Sequence, residues 1–206
     1  MQLGVERERI LVYGIPIRPE FAPGADGDGA EEGAPRILVM GGTLGLGVRY
    51  ATVRALDRAA AGFSIDVIAG RNQRLRRRLV TNRARFQHPV RVRGTTRRVA
   101  ALMRRAALLV SKPGGLTCAE AMACGLPMVV VRPLPGQEAG NLEVLVQHGV
   151  AIHLEDDSEL PGAVEALLRD PQRLASMRRQ ARALAMPLAA EHIGREVLAA
   201  AGGGGR

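Results

Sequence analysis

An α/β fold, a doubly wound parallel sheet in a single domain, is predicted by three observations. Short runs rich in Val, Ile and Leu alternate with helix-period segments along nearly the whole chain. The connections between them are short, and repeated strand-helix units of this kind place a parallel sheet under helices on both faces. At 206 residues and 47% hydrophobic, the chain can bury one good core, and with 2% aromatic residues and no Trp that core must be aliphatic.

The elements follow in order. "ILVYG" (10–14) and "RILVMGG" (36–42) read as strands, and "PGADGDGAEEGAP" (23–35), made of Gly, Pro and acids, reads as a mobile loop between them. Residues 1–35 are therefore expected to be a linker-like segment with a first strand, and 36–206 the folded domain with C-terminal helices. A helix near 46–61 follows, with Val48, Ala51, Ala55 and Leu56 on its apolar face. "FSIDVIAG" is a strand, "RNQRLRRRLV" a basic helix, "VRVRG" a strand and "RRVAALMRRA" a helix. "ALLVSK" (107–112) is a strand and "PGGLTCAEAMACG" a glycine turn into a helix; "PMVVVRP" is a strand and "QEAGNLEVLVQHG" a helix closed by Gly149. "VAIHL" is the last strand, and helices near 158–169, 171–184 and 188–200 finish the chain.

Composition narrows the function. The formal charge of +9 favours an anionic partner, although Lys112 is the only lysine among 29 basic residues and so uniform a use of Arg also suits a solvated surface. Scarce aromatic residues argue against base stacking and hence against nucleic acid. Cys118 and Cys124 lie six apart in one helical segment, a spacing that suits neither a zinc pair nor a secreted disulfide framework, so reduced thiols in the cytoplasm are expected. No run reaches the ~20 apolar residues of a membrane span.

In a doubly wound sheet, ligands sit outside the carboxyl ends of the strands. "GGTLGLG" sets Gly41, Gly42, Gly45 and Gly47 between a strand and a helix, where bare amides could approach an anion or simply make a tight turn; it matches neither the dinucleotide fingerprint nor the Walker A motif. In "SKPGGLTCAEA", Pro113 stops the strand, Gly114 and Gly115 bare the backbone and Thr117 opens the helix. A diphosphate could lie there, yet Thr117 and Glu120 also have the spacing of a capping box, and Lys112 could be only a strand-end charge. In "PLPGQEAGN" (133–141), Gln137, Glu138 and Asn141 crowd the start of a helix, either to bond the hydroxyls of a neutral polyol or to cap.

Taken in order, "GIPIRPEF", "VMGGTLGLG", "AGRNQRLRRRL", "SKPGGLTCAEAMACGLPMVV" and "PLPGQEAGN" resemble the C-terminal half of the monogalactosyldiacylglycerol synthases and processive diacylglycerol glucosyltransferases, of glycosyltransferase family 28 type. A more distant likeness is to the lipid II-forming N-acetylglucosaminyltransferase. The resemblance implies the C-terminal, Rossmann-like half of a GT-B fold, binding a UDP-sugar without metal or other cofactor. It places Gly94 and Thr95 at uracil and Glu120 on the ribose hydroxyls. It places Arg18, Gly41, Gly42, Gly45, Gly114, Gly115 and Thr117 around the diphosphate, Lys112 among the donor-binding residues, and Gln137 and Glu138, with Asn141 behind them, on the sugar.

The implied reaction is an inverting transfer of a hexose to a lipid acceptor such as diacylglycerol. Its acceptor groove and general base are expected from an N-terminal domain or partner chain, so none of His88, His148, His153 and His192 is assigned that role. The implied location is cytoplasmic, peripheral on an anionic membrane surface through the Arg-rich segments 71–85 and 91–105. The chain departs from the family pattern at Thr43, where a third glycine is usual, and across 23–35, which reads like an insertion. Two other classes remain open: another GT-B reaction, such as the peptidoglycan transferase or a UDP-sugar epimerase, and a non-catalytic nucleotide-binding module.

Overall fold

The computed structural model describes residues 4–22, 33–42, 45, 47–133, 136 and 138–202. Six parallel strands form one sheet: β1 (Arg36–Met40), β2 (Ser64–Ile68), β3 (Val90–Arg93), β4 (Leu108–Ser111), β5 (Met128–Val131) and β6 (Ala151–Leu154). Their order across the sheet is β3-β2-β1-β4-β5-β6. The chain thus winds outward one way from β1 and then back the other way from β4. β1 and β4 pair in register, Ile37 against Leu108 and Val39 against Val110. Loops leaving their carboxyl ends must diverge, and a crevice opens between them.

The described residues form eight α-helices: α1 (Tyr50–Leu56), α2 (Gln73–Thr81), α3 (Val99–Arg105), α4 (Gly115–Ala123), α5 (Ala139–Gln147), α6 (Leu160–Leu168), α7 (Pro171–Leu184) and α8 (Ala189–Gly202). Alternation along the strands splits the core in two. Ile37, Val39, Ile65 and Val67 pack under α1, α2 and α6, while Leu38, Met40, Leu109 and Val130 pack under α3, α4 and α5. Strands buried on both faces read as unbroken aliphatic runs, which is why nearly every one was legible in the sequence.

Two expectations are corrected. Residues 10–14 are not a strand. Leu11 is 58% and Val12 76% exposed, and the segment lies against α8, where the Tyr13 hydroxyl donates to Glu196 Oε1 at 2.8 Å. The sheet's edges, β3 and β6, lie elsewhere, so these residues have no strand to pair with. The helix expected over 46–61 is only α1, because the glycine turn runs on to Arg49 and Asp57 turns inward. The Asp57 carboxylate accepts from the amides of Gln87 and His88 at 2.9 and 3.0 Å. The loop expected over 23–35 falls mostly outside the described residues.

His88 has a structural role here, stacked on Phe63 with ring centroids 4.0 Å apart and Nε2 2.9 Å from the Ala61 carbonyl. The N-terminal segment returns to the core through Ile17 and Phe21, which delivers Arg18 to the crevice.

Gly149, just beyond α5, has φ +67° and open space where a Cβ would stand. Gly149→Ala therefore tests backbone conformation alone: a loss of about 1 kcal/mol, or ~3 °C in melting temperature, is expected in thermal melts.

Candidate functional site

The β1/β4 crevice has a volume of about 550 Å³. Its floor is apolar, made by Met40, Ile68 and Val99. One wall is the start of α4 with Lys112, another is Thr95, Thr96 and Arg97, and Gly42, Arg18 and Glu120 complete the rim. Eight of the fourteen residues assigned from the sequence therefore line one opening: Arg18, Gly42, Thr95, Lys112, Gly114, Gly115, Thr117 and Glu120.

The capping question is settled by where α4 begins. Gly114 is the N-cap, in extended conformation and with no side chain to cap, so Thr117 is the third helical residue and Glu120 the sixth. No capping box is possible from there. The first i→i−4 bond is Cys118 N to Gly114 O, at 2.9 Å, which leaves the amides of Gly115, Leu116 and Thr117 without a carbonyl inside the helix. They carry the helix's positive end into the crevice.

Glu120 is 8% exposed and lines that same opening. Burial pushes its pKa up to about 7; Arg18 pulls it down and Glu20 pushes it up, neither as strongly as burial. Arg18 itself is held by Glu20 at 2.7 Å and by the Phe21 ring. A buried carboxyl with so raised a pKa, lining an opening and with a guanidinium near it, marks a candidate site residue.

The glycine loop divides its labour. Gly42, at φ +71°, opens on the crevice. Gly41 and Gly45 are buried: a Cβ at Gly41 would stand 2.5 Å from Gly47 N, and one at Gly45 2.2 Å from the Ala69 carbonyl. Those two glycines let the turn close upon itself, whereas Gly42 bares its backbone. Gly47 lets the stem of Lys112 pass, since a Cβ there would meet Lys112 Cδ at 2.9 Å. Thr43, Leu44 and Leu46 lie outside the described residues.

The remaining assigned residues stand behind the lining. Glu138 is buried and forms an ion pair with Lys112. Asn141 donates from Nδ2 to the Pro113 carbonyl at 2.9 Å, bracing the loop ahead of α4. Gly94 sits beside Gly70 and Arg76, one residue short of the wall formed by Thr95 to Arg97. Gln137 lies outside the described residues. Sequence reading assigned no role to Gly70, Thr96, Arg97, Leu116 or the apolar floor, although Gly70 and Thr96 lie in loops that leave the carboxyl ends of strands. Arg97 is one of many arginines and carried no usable signal.

A second cluster ties the loops together. Asp157, 6% exposed, accepts from Arg132 Nε at 3.2 Å, from a second Arg132 nitrogen at 3.1 Å, from Arg49 at 3.1 Å and from the Thr52 hydroxyl at 3.0 Å. Arg132 stands at φ +53°, unusual for a residue with a side chain, and the fork geometry holds it there. Arg49 ends the glycine turn and Arg132 begins the turn leading to Glu138, so one carboxylate joins both. Cys118 and Cys124 are buried thiols, pushed by burial to about 12 and about 11, and thus remain protonated. Among the described residues no cluster of His, Cys, Asp or Glu is placed to hold a metal, and no helix is long and apolar enough to cross a membrane.

Comparison with known proteins agrees with this geometry. The sequence pattern of the glycosyltransferase family 28 C-terminal domain matches residues 36–193. The processive diacylglycerol beta-glucosyltransferase of Bacillus cereus (strain AH187) is 29% identical over 208 residues, covering 97% of this chain and 53% of the relative. That of Bacillus anthracis (strain CDC 684 / NRRL 3495) matches at the same identity and coverage. The chain thus spans about half the length of the curated relatives it matches. Among solved structures, Acinetobacter baumannii MurG superposes with a TM-score of 0.65 at 24% identity, covering 79% of this chain and 49% of that one. Anabaena Alr3699/HepE, solved in complex with UDP-glucose, superposes with a TM-score of 0.61 at 17% identity, covering 81% and 49%. These likenesses establish the fold as that of one half of a GT-B glycosyltransferase.

Asp157→Asn keeps the volume and removes the charge that two guanidinium groups share. A loss of about 3 kcal/mol, on the order of 10 °C in melting temperature, is expected by calorimetry.

Proposed function

The chain belongs to the glycosyltransferase family 28 C-terminal domain, and on that premise we propose that its crevice binds a UDP-sugar as the donor-binding half of an inverting glycosyltransferase that delivers a hexose to a lipid acceptor such as diacylglycerol. One observation carries the reading: the free amides of α4, the Lys112 ammonium and the Glu120 carboxylate converge on a single opening beside Gly42.

Each part suits one part of the donor. The diphosphate lies against the first amides of α4 with Lys112 and Arg18 near it, so that helix dipole and cations stabilise the leaving UDP without a metal. Glu120 accepts the two ribose hydroxyls. The apolar floor of Met40, Ile68 and Val99, with the polar wall of Thr95 and Thr96, suits a pyrimidine held at its edge and face. In the reaction the acceptor hydroxyl bonds to the anomeric carbon as the bond from that carbon to the phosphate oxygen breaks. UDP leaves with the electron pair, and the hydroxyl proton goes to a base in an N-terminal half, since the relatives are about twice as long.

Support for the lipid acceptor comes from those relatives and from the surface. On α2, Leu75 and Leu79 point inward while Arg74, Arg76, Arg77 and Arg78 face solvent, and Arg91, Arg93, Arg97 and Arg98 are exposed next to it. That basic face suits an anionic membrane. Co-sedimentation with liposomes is expected to rise with the fraction of anionic lipid and to fall with salt; binding indifferent to both would reject the membrane contact.

Calorimetry with UDP tests the site itself. Glu120→Ala is expected to weaken UDP by about tenfold or more, the value of a hydrogen-bonded charged group. Because the Glu120 carboxyl titrates near 7 in the free protein, it is mostly protonated below that pH and cannot accept both hydroxyls. UDP affinity should therefore rise with pH up to about 7, by at most ~tenfold per unit, and level off above. The step belonging to Glu120 should be missing from Glu120→Gln, and an identical profile in that variant would sink the ribose assignment.

A further inference from the structure

The ion pair between Lys112 and Glu138 stands where an anionic ligand would be expected. Lys112 lines the crevice, while Glu138 is 5% exposed behind it. A Cβ built on Gly114 would lie 3.6 Å from Lys112 Nζ and 3.7 Å from Glu138 Oε1, so the pair straddles the N-cap of α4. The neighbouring Cys118 thiol feels both members, its pKa raised by Glu138 and lowered by Lys112 after the larger effect of burial. A carboxylate oxygen thus sits on the ammonium at the positive end of a helix. A phosphate oxygen bound there would need the same two partners.

We propose that Glu138 is an internal stand-in for the donor's diphosphate: it neutralises Lys112 in the free protein, and the bound donor exchanges it for a phosphate oxygen. The proposal rests on the reading of the crevice as a UDP-sugar site. Once exchanged, the Glu138 carboxylate stays beside the diphosphate, at the N-cap of α5. The hydroxyls of the hexose then replace the hydrogen bonds that Lys112 supplied.

Selectivity follows from this exchange. UDP displaces Glu138 from Lys112 but brings no hexose hydroxyl in its place, and separating a buried carboxylate from the ammonium it pairs with is costly. UDP-hexose brings both the displacing anion and the replacement donors. The same residue therefore penalises the product more than the substrate. After transfer, re-formation of the Lys112–Glu138 pair competes with the bound UDP and promotes its release. Glu138 thereby acts as a specificity-determining residue through competition as well as contact.

The test is titration calorimetry of the full chain with UDP and with UDP-glucose, in the wild type and in Glu138→Gln and Glu138→Ala, each first shown to be folded by a thermal melt. The wild type should prefer UDP-glucose over UDP. Both variants should bind UDP roughly five- to tenfold tighter than the wild type, the effect of removing one partly buried competing charge, and their preference for UDP-glucose should shrink by at least that factor. UDP affinity unchanged or weakened in a folded variant overturns the exchange. So does a wild type that binds UDP as tightly as UDP-glucose, a result that needs no variant to fold. A wild type that binds neither ligand overturns the donor-site reading and the exchange with it.

Discussion

Three amides at the start of α4 govern the rest of the site. A helix cannot satisfy its own first N–H groups, and here the chain has placed no capping side chain in front of them. β4 ends at Ser111, Gly114 is the N-cap and Gly115 already belongs to the helix, so the helix's first amides follow the strand almost at once. The reversal of strand order beside β4 then keeps neighbouring loops from covering them. A helix start of this kind suits an anion, and Lys112 and Arg18 line the same crevice.

Side chains around the crevice hold charge where burial opposes it. Glu120 is held where burial disfavours its charge, and the shift of its pKa to about 7 measures that conflict. Because its folded pKa lies above the ordinary carboxylate value of 4.5, its contribution to stability is complete below that value and is lost as pH rises toward 7. Lys112 shows the same tension resolved within the molecule, since its charge is met by Glu138 across the turn.

Rigidity is supplied from behind. Asp157 gathers Arg49, Thr52 and Arg132 into one buried cluster, fixing where the glycine turn ends and where the turn after β5 begins. Asn141 fastens the loop ahead of α4 through the Pro113 carbonyl. Gly41 and Gly45 let the turn pack against backbone that any Cβ would strike. Asp157, Asn141, Gly41 and Gly45 all lie outside the lining of the opening.

The sequence by itself determined the fold class, six of the seven strands read from it, every helix in order and the crevice's main residues. Period-2 and period-3.6 patterns, glycine turns and proline stops are local signals, and a parallel sheet buried on both faces makes them strong. Only the tertiary structure decided which of several local readings prevailed. Residues 10–14 have strand-like composition but no neighbour to pair with. Thr117 and Glu120 have capping-box spacing, but their helix starts two residues earlier, once Gly114 and Gly115 are drawn into the crevice wall. Four similar glycines separate into one that meets the opening and three that permit close packing. Lys112 and Glu138 lie 26 positions apart, and Arg49 and Asp157 lie 108 apart. The physical reason is common to all: pairing across loops depends on strand order and on which surfaces come into contact, and those are non-local properties that no window of the chain contains.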